Sequence, residues 1–221
     1  MRWLAVLVLC LVAACATRPS ELVPGPEPIV IVKTAQLPAG EPWISLWADH
    51  AWIDLRVDGA WKRVEIRSRR SGVRVEELDP EAAFADERWG RGVHVVTTYR
   101  GAEAERIGLA ILAEAMRYPR REDYRAFPGP NSNTFVVWLS RRIPGFALEL
   151  YPTALGKDYP GWFHAGVSTT RTGVQLDTAI VGAQVGLKEG VELHLLGLTI
   201  GVGLWPPQLK LPFLRGIPFG W

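Results

Sequence analysis

Residues 128–135 of this chain read Pro-Gly-Pro-Asn-Ser-Asn-Thr-Phe, a proline-bounded turn that leads into an apolar-faced segment. Asn131 and Ser132 stand at the start of that segment, and asparagine and serine are preferred as helix N-caps. Helical spacing is shown by Phe135, Trp138, Leu139 and Ile143. The stretch therefore predicts a helix over 133–143 that packs on a core and begins at Asn131-Ser132.

Two interpretations of Asn131 and Ser132 follow from this position. The first is structural, with either side chain capping the helix by accepting a hydrogen bond from a free backbone N–H group. The second is catalytic, because a helix start stabilises an oxyanion and a serine becomes a nucleophile beside a general base such as histidine. Without a partner histidine, the pair favours the structural interpretation.

His50 has the sequence context of such a base. Residues 43–57 are strand-like, and from position 50 polar and apolar residues alternate. His50 and Trp52 share the polar face, while the apolar face is formed by Ala51, Ile53, Leu55 and Val57. Asp54 lies on the His50 face but roughly 13 Å along the strand, too far to touch the same imidazole. The histidines interpreted as structural or surface residues are His94, His164 and His194.

Asp58-Gly59 predicts a tight turn that returns the chain as a second strand over 61–67. Glu65 lies on the polar side of that strand, where it could orient the imidazole of His50. The alternative is an ordinary cross-strand ion pair with an arginine such as Arg56, and the sequence favours this alternative. Further strands are predicted at 29–32, 73–78 and 93–99, and a further helix at 103–118.

The chain from Gly166 onward is rich in alternating glycine, valine and leucine, with a turn signal at 188–190. This pattern predicts a long β-hairpin. Both faces of the segment 193–204 carry apolar or small residues, which indicates a strand that is covered on both sides. Contact of this hairpin with a protein partner or a membrane is the alternative interpretation.

The first residues of the chain indicate export. Arg2 precedes an apolar run of about 12 residues, too short to span a bilayer. The run ends in Val12-Ala13-Ala14-Cys15, which resembles the cleavage site of bacterial lipoprotein leaders. We therefore expect residues 1–14 to be removed and Cys15 to carry the lipid. Residues 15–40 would be the lipidated tether. By resemblance to bacterial lipoprotein sorting rules, Ala16 favours the outer membrane, with the protein facing the periplasm.

The composition excludes several kinds of site. The formal net charge is +2, and no basic stripe of the kind that binds nucleic acid is present. The chain contains 2 cysteines, Cys10 and Cys15. Since the first is discarded and the second acylated, no thiol remains for a disulfide, a metal or a nucleophile. The histidines are scattered and no phosphate-binding glycine loop occurs, so we expect no metal, cofactor or nucleic acid.

Three strings carry a resemblance to a known family. They are His-Ala-Trp-Ile at 50–53, Pro-Asn-Ser-Asn-Thr-Phe at 130–135 and Gly-Lys-Asp-Tyr at 156–159. They are similar to the core of a bacterial family, domain-of-unknown-function family 3750, over roughly residues 40–165. The resemblance implies no established activity.

A looser resemblance is to circularly permuted papain-like proteins of the NlpC type, in which a histidine-bearing strand precedes a helix that starts with an Asn-Cys-x-x-Phe-like string. His50 matches the histidine, Ser132 the cysteine, and Asn131 and Phe135 its flanks. The serine departs from that pattern and excludes thiol chemistry. The resemblance implies an α+β fold with a permuted papain-like core, in which an antiparallel sheet packs on about two helices. A C-terminal β-hairpin would extend this core over about 166–221.

We therefore expect one α+β domain over 41–221, in an envelope lipoprotein with a papain-like cleft. The first functional expectation is a non-catalytic module that binds a cell-wall peptide, a lipid or an envelope protein. The alternative is an amidase, esterase or acyltransferase with Ser132 as nucleophile, His50 as base and Glu65 as orienting group. Lining the cleft in either case would be Asn131, Asn133, Trp52, Lys157, Asp158 and Tyr159.

Overall fold

The structure is a computed structural model that describes residues 17–38, 46–68, 70–89 and 91–218. The predicted leader, Cys15 and the beginning of the strand-like segment at 43–45 lie outside these ranges. The described chain is rich in sheet and has few helices, which confirms an α+β protein at this level. None of the helices in the described ranges has the length and apolar character that crossing a bilayer would require.

The first sheet has six strands, each antiparallel to its neighbours. They are β1 (Ile29–Gln36), β2 (Asp49–Val57), β3 (Ala60–Ile66), β4 (Val73–Glu77), β5 (Glu87–Arg88) and β6 (Arg91–Arg100). Their order across the sheet is β4-β3-β2-β1-β6-β5. Asp58 and Gly59 connect β2 to β3 with φ values of 50° and 75°, the backbone that a tight hairpin turn requires.

The helices are α1 (Pro80–Ala83), α2 (Gly101–Ala115) and α3 (Ser132–Arg142). The last two cover one face of the first sheet, as expected, and their apolar stripes meet alternate residues of the strands. The core that they form includes Val30, Val32, Ala51, Ile53, Leu55, Val64, Ile107, Ile111, Phe135 and Leu139. This packing determines which face of β2 contacts α3.

Residues 17–28 contact the first sheet and do not form the free tether that we expected. The backbone N–H of Val95 donates to the carbonyl of Thr17 at 2.8 Å. Arg56 donates to the carbonyl of Gly25 at 3.1 Å. β1 then begins within the segment that the sequence assigned to the tether, so that assignment is corrected. The proline-rich composition of residues 17–28 predicts no regular structure. The segment is nevertheless held in place by hydrogen bonds to β2 and β6, which are distant in the sequence.

The second sheet has seven antiparallel strands and replaces the expected C-terminal hairpin. The strands are β7 (Phe163–Val167), β8 (Gly173–Thr178), β9 (Val181–Gly186), β10 (Gly190–Leu195), β11 (Leu198–Leu204), β12 (Pro207–Leu211) and β13 (Leu214–Pro218). Each pairs with the strand before and after it, so the segment is a meander of successive hairpins. Of the turns between these strands, the sequence pattern predicted the one between β9 and β10.

The two faces of the second sheet have opposite character, and the polar face is the buried one. Turned towards the rest of the protein are Gln175, Asp177, Gln184, Glu192, His194, Thr199 and Lys210, all buried. The alternate positions form what we call the outer apolar face: Val174, Leu176, Val181, Val185, Val191, Leu193, Leu195, Ile200, Val202 and Leu204. These ten side chains are 45% to 67% exposed. The expectation that 193–204 is covered on both faces is therefore wrong.

Candidate functional site

Asn131 is the residue that caps α3. Its Oδ1 accepts hydrogen bonds from the backbone N–H groups of Asn133 at 3.0 Å and Thr134 at 3.2 Å. The Thr134 hydroxyl in turn accepts from the backbone N–H of Asn131 at 3.1 Å, which completes a capping box. Asn131 Nδ2 donates to the carbonyls of Ala126 and Leu155, at 3.0 and 2.9 Å. One side chain therefore closes the helix and holds two loops.

Ser132 is the first residue of α3 and is buried. Within the described ranges its hydroxyl makes no hydrogen bond, so the interpretation of Ser132 as the cap is corrected in favour of Asn131. Its neighbour Asn133 donates from Nδ2 to the carbonyls of Asp49 at 2.9 Å and Leu155 at 2.8 Å. This side chain ties the start of α3 to the beginning of β2.

His50 and Glu65 are in contact, which is the less favoured of the two interpretations that the sequence left open for Glu65. Their atoms Nε2 and Oε2 lie 3.0 Å apart. Glu65 is fully buried and also accepts from Arg67 at 2.7 Å and from Arg88 at 2.9 Å. Arg56, the arginine named as the alternative partner, is not among these residues. Both interpretations of Glu65 are thus met in part, because one carboxylate holds a histidine and two arginines.

The pKa values indicate how the proton is shared within this group. Burial lowers the pKa of His50, and the charges of Arg88 and Arg67 act in the same direction against the hydrogen bond to Glu65. Burial alone would raise the pKa of Glu65, but the hydrogen bond from His50 and the two arginines lower it to about 2. A neutral imidazole therefore donates its Nε2 proton to an ionised carboxylate.

The structure does not bring Ser132 to His50. Ala51 packs in the same core as Phe135 of α3, so its neighbour His50 points to the opposite face of the sheet. There the imidazole stacks on Trp52, with ring centroids 6.0 Å apart. No hydrogen bond joins the serine and the histidine within the described ranges. A catalytic pair needs this contact, so the geometry supports neither Ser132 as a nucleophile nor His50 as its general base.

Trp52 lies in a buried ionic cluster on that opposite face. Its Nε1 donates to Asp54 at 3.1 Å, and Asp54 also pairs with Lys33 at 2.7 Å and Arg63 at 2.6 Å. Arg88 lies over the Trp52 ring, 4.6 Å from its centroid. The space beside this cluster is only about 90 Å³, well below the roughly 300 Å³ of the smallest typical ligand sites. The cluster braces the sheet and leaves little room for a ligand.

Lys157 and Asp158 belong to a different region, the contact between the first part of the chain and the second sheet. Lys157 forms ion pairs with Asp158 and, at 3.3 Å, with Glu192. Asp158 accepts from Gln175 and from Thr199, both at 3.0 Å. All these side chains are buried. The polar face of the second sheet is therefore bound to the loop that follows α3.

His194 completes this ionic network. Its Nδ1 lies 2.6 Å from Asp177, and its Nε2 lies 3.3 Å from Glu192 and 3.4 Å from Asp158. Burial would lower the pKa of this imidazole, but the charge of Asp158 and the hydrogen bonds to Asp177 and Glu192 raise it to about 9. Both ring nitrogens face carboxylates, so His194 is the imidazolium at neutral pH.

Asp158, Glu192 and His194 are also the described residues whose ligand atoms, all within 4.8 Å of one another, could hold a metal ion. Lys157 already bonds both carboxylates, and Lys210 pairs with Glu192. The positive charge that a cation would supply is thus provided by side chains.

Gly156 and Tyr159 flank these two residues in the loop. Gly156 has a φ of 77°, and a Cβ there would lie 2.5 Å from the carbonyl oxygen of Pro128, so a side chain does not fit. Its N–H donates to the carbonyl of Gly197 at 2.9 Å. Tyr159 lies apart from the ionic network, with Arg120 5.8 Å from its ring centroid. The string Gly-Lys-Asp-Tyr therefore braces a loop against the second sheet.

A cavity of about 1280 Å³ lies between the two sheets. Its walls are the end of β1, the middle of β6, the loop 147–153 and the hairpin of β12 and β13. Most of the lining is apolar, with contributions from Trp47, Val96, Leu148, Leu150, Trp205, Pro206, Phe213, Leu214 and Ile217. None of the nine side chains proposed from the sequence as catalytic or cleft residues lines this space.

Two ion pairs stand in the cavity wall. Arg215 pairs with Asp49 through two hydrogen bonds of 3.1 and 3.0 Å and also contacts His94. Burial and then the charge of Arg215 lower the pKa of His94, so this ring is neutral at pH 7. Lys210 pairs with Glu149, whose pKa is raised by burial. Arg215 and Lys210 therefore each have an opposite partner, whereas Lys188, which also lines the cavity, is exposed and forms no ion pair within the described ranges.

Sequence reasoning missed the cavity because its residues are distant in the chain. Asp49 and Arg215 are 166 positions apart, and no local pattern connects them. The sequence does contain a pattern that predicts the second sheet, which borders the cavity. Gln175, Asp177, Glu192 and His194 recur at every second position among valines and leucines, which is typical of a strand with one polar face.

The fold and these sites define a sheet-rich α+β protein with an apolar cavity between two antiparallel sheets. The chain belongs to the family described as "Protein of unknown function (DUF3750)", which matches residues 29–159, more than half of the sequence. The match covers the first sheet and its helices and ends before β7. No curated protein and no solved structure shows significant similarity to the chain.

We predict that Asn131→Ala destabilises the protein strongly and that Ser132→Ala does not. The asparagine change removes the helix cap and two loop hydrogen bonds, each contributing about 1 kcal/mol. A loss of about 2–3 kcal/mol is expected in urea unfolding, against less than about 0.5 kcal/mol for the serine change. Equal losses in the two variants would contradict the assignment of the cap to Asn131.

We predict that stability falls as the pH rises from about 6.5 to 9. His194 has a pKa of about 9 in the folded chain and about 6.5 when unfolded. Its stabilising charge is therefore fully present below pH 6.5 and lost through pH 9, by on the order of 3 kcal/mol. Unfolding free energies measured across this range would show the fall, and His194→Gln would abolish most of it.

His164→Gln is the matched control for this experiment. The pKa of His164 is lowered, first by burial and then by the charge of Arg141, so its titration lies below the tested range. The control should keep the slope of the parent chain. A slope retained in His194→Gln would show that another group is responsible.

Proposed function

We propose that this protein is a non-catalytic binding module of the bacterial envelope whose cavity holds an amphipathic ligand. The cavity itself carries the proposal. Its volume of about 1280 Å³ exceeds the roughly 300–1,000 Å³ of ordinary small-molecule sites. A space of this size accommodates a ligand with an extended apolar part, such as a molecule bearing an acyl chain.

The lining supports this ligand class. Trp47 and Phe213 meet edge to face, with ring centroids 6.1 Å apart, and provide apolar walls that bury large areas. The charged wall residues Arg215 and Lys210 are both paired with carboxylates. Breaking a buried pair leaves an uncompensated charge. The polar part of the ligand is therefore expected to form hydrogen bonds beside these two pairs, and a single negative charge, such as a fatty acid carboxylate, could be met by the exposed Lys188 of the lining.

The papain-like relationship remains part of the proposal at the level of chain order. The strand with His50 precedes the helix that begins at Ser132, as in the permuted proteins. A serine nucleophile needs an adjacent base, whereas His50 donates to Glu65 on the other face of the sheet. The orientation of His50 thus favours binding over acyl transfer.

The location is proposed from the leader and from the first described contact. A lipid on Cys15 would anchor the chain in the outer membrane, facing the periplasm. Thr17 is bonded to Val95 of β6, and two residues of extended chain span at most about 7 Å. The anchor would therefore hold the domain directly at the membrane, close to lipids that could enter the cavity.

The cavity can be tested by filling it. Thr97 lines the space, whereas Thr98 is the next residue of β6 and faces the other side. With a fluorescent fatty acid as probe, Thr97→Trp should raise the Kd at least tenfold, about 1.4 kcal/mol. Thr98→Trp adds the same side chain outside the cavity and should change the Kd less than about twofold. Thermal unfolding confirms that both variants are folded.

The same titration can defeat the proposal. If the parent chain does not bind the probe, or if both tryptophan variants bind it equally well, the cavity is not an acyl site. Competition by an unlabelled lipid extract should displace the probe from the parent chain, which separates specific binding from partition into exposed apolar surface.

The alternative, a Ser-His acyl-transfer enzyme, has its own test. A fluorophosphonate reacts with a serine that a base activates. We expect no labelling of Ser132 in the parent chain, because its hydroxyl lacks a bond to His50. Mass spectrometry of the peptide that contains Ser132 provides the measurement. Labelling of the parent chain that disappears in His50→Ala would replace the binding proposal with the enzymatic one.

A further inference from the structure

The outer apolar face has the character of a surface that meets hydrocarbon. Its four strands β8–β11 lie about 4.8 Å apart, with roughly six residues each, and together cover about 400 Å² in projection. Leu193 is 62% exposed and Val174 67%. The largest apolar patch on a typical monomer covers about 300–600 Å² and is often a functional site, at which a partner or a membrane binds.

The scarcity of polar groups on the outer apolar face favours a membrane over a protein partner. Among the outward positions of β8–β11, all within the described chain, Thr178 is the single polar side chain and no charge occurs. Thr178 already donates to the carbonyl of Val181 at 2.7 Å. Protein interfaces carry about one hydrogen bond per 100–200 Å², and this face offers almost none. Lipid chains need no such bonds.

Tryptophans stand at both ends of these strands. Trp162 precedes β7 and is 87% exposed, while Trp205 follows β11 and is 72% exposed. The pairing of the strands places the two residues at opposite ends of the sheet. Tryptophan is enriched where membrane meets water, because its ring is apolar and its N–H is polar. The edge of the face therefore matches the edge of a lipid surface.

The start of the described chain approaches the same sheet. Thr17 is bonded to Val95, and His94, the residue before it, contacts Arg215 of β13. A lipid on Cys15 would thus enter the membrane close to the last strand of the second sheet. In this respect the inference rests on the proposed lipid anchor, but it does not rest on the ligand cavity.

We propose that the outer apolar face lies flat on the lipid bilayer, with Leu176, Leu193 and Ile200 in contact with acyl chains. The sheet does not cross the membrane, because the buried charges of its other face belong to the protein interior. The face carries no charge, so contact does not depend on anionic lipid. The anchor and the sheet together set the orientation of the cavity at the membrane surface.

Photolabelling of the full-length chain in vesicles tests this contact. The vesicles are phosphatidylcholine with a small share of a phospholipid that carries a diazirine in its acyl chain, and labelled peptides are mapped by mass spectrometry. We expect labels on residues 173–204. The double variant Leu176→Glu/Leu193→Glu should reduce this labelling at least fivefold. Leu109→Glu changes a leucine that is 43% exposed on α2 and should leave it unchanged.

Two results would overturn the proposal. One is labelling confined to the N-terminal residues and the cavity loop 147–153, with none on 173–204, which would mean that the anchor alone meets the lipid. The other is an unlabelled face in a chain that sediments as a dimer and becomes a monomer in the double variant, which would assign the face to a second copy. Failure of fatty acid binding with the face still labelled would refute the cavity proposal alone. The mass of the N-terminal peptide shows separately whether Cys15 is acylated.

Discussion

The buried ionic network around Lys157 and Asp158 is the interaction on which the arrangement of the two sheets depends. Removing a charge from water costs several kcal/mol unless it is paired, so Glu192 and His194 must face this loop. Side chains alternate along a strand, and the valines and leucines between these residues must then face outward. The outward apolar face of the second sheet is therefore the direct consequence of the polar character of its inner face. The Cβ-free positions Gly156 and Gly197 allow the loop and the sheet to approach closely enough for the network to form.

Local patterns predicted most of the first sheet and both of its longer helices, because strand alternation, the Asp58-Gly59 turn and the spacing around Phe135 depend on neighbours in the chain. The second sheet was only partly predicted. Glycine, valine and leucine dominate 173–204, and that abundance concealed the regular polar positions Gln175, Asp177, Glu192 and His194. Contacts between distant residues, such as Asp49 with Arg215, leave no trace in one sequence without an alignment of relatives.

The candidate site shows how one position along a strand changes a functional interpretation. The sequence offered His50 as one possible partner of Glu65, although it favoured an arginine, and it placed Asn131 at the start of a helix. Alternation placed Ala51 and His50 on opposite faces of β2, but it could not show which of these faces meets α3, because that is decided by packing against Phe135 and Leu139. The histidine therefore belongs to a buried cluster of arginines and carboxylates. The binding proposal rests instead on the cavity, whose walls include β12, β13 and the loop 147–153.

The contact between Thr17 and Val95 has a consequence for how far this protein can act. A free tether of 25 residues would let a domain explore a radius of roughly 25–30 Å around its lipid. For a chain acylated at Cys15, about 7 Å of backbone separates the lipid from a residue bonded to β6. Such a protein cannot search the periplasm for a distant partner. Whatever it binds must come to the membrane surface, or must already be there.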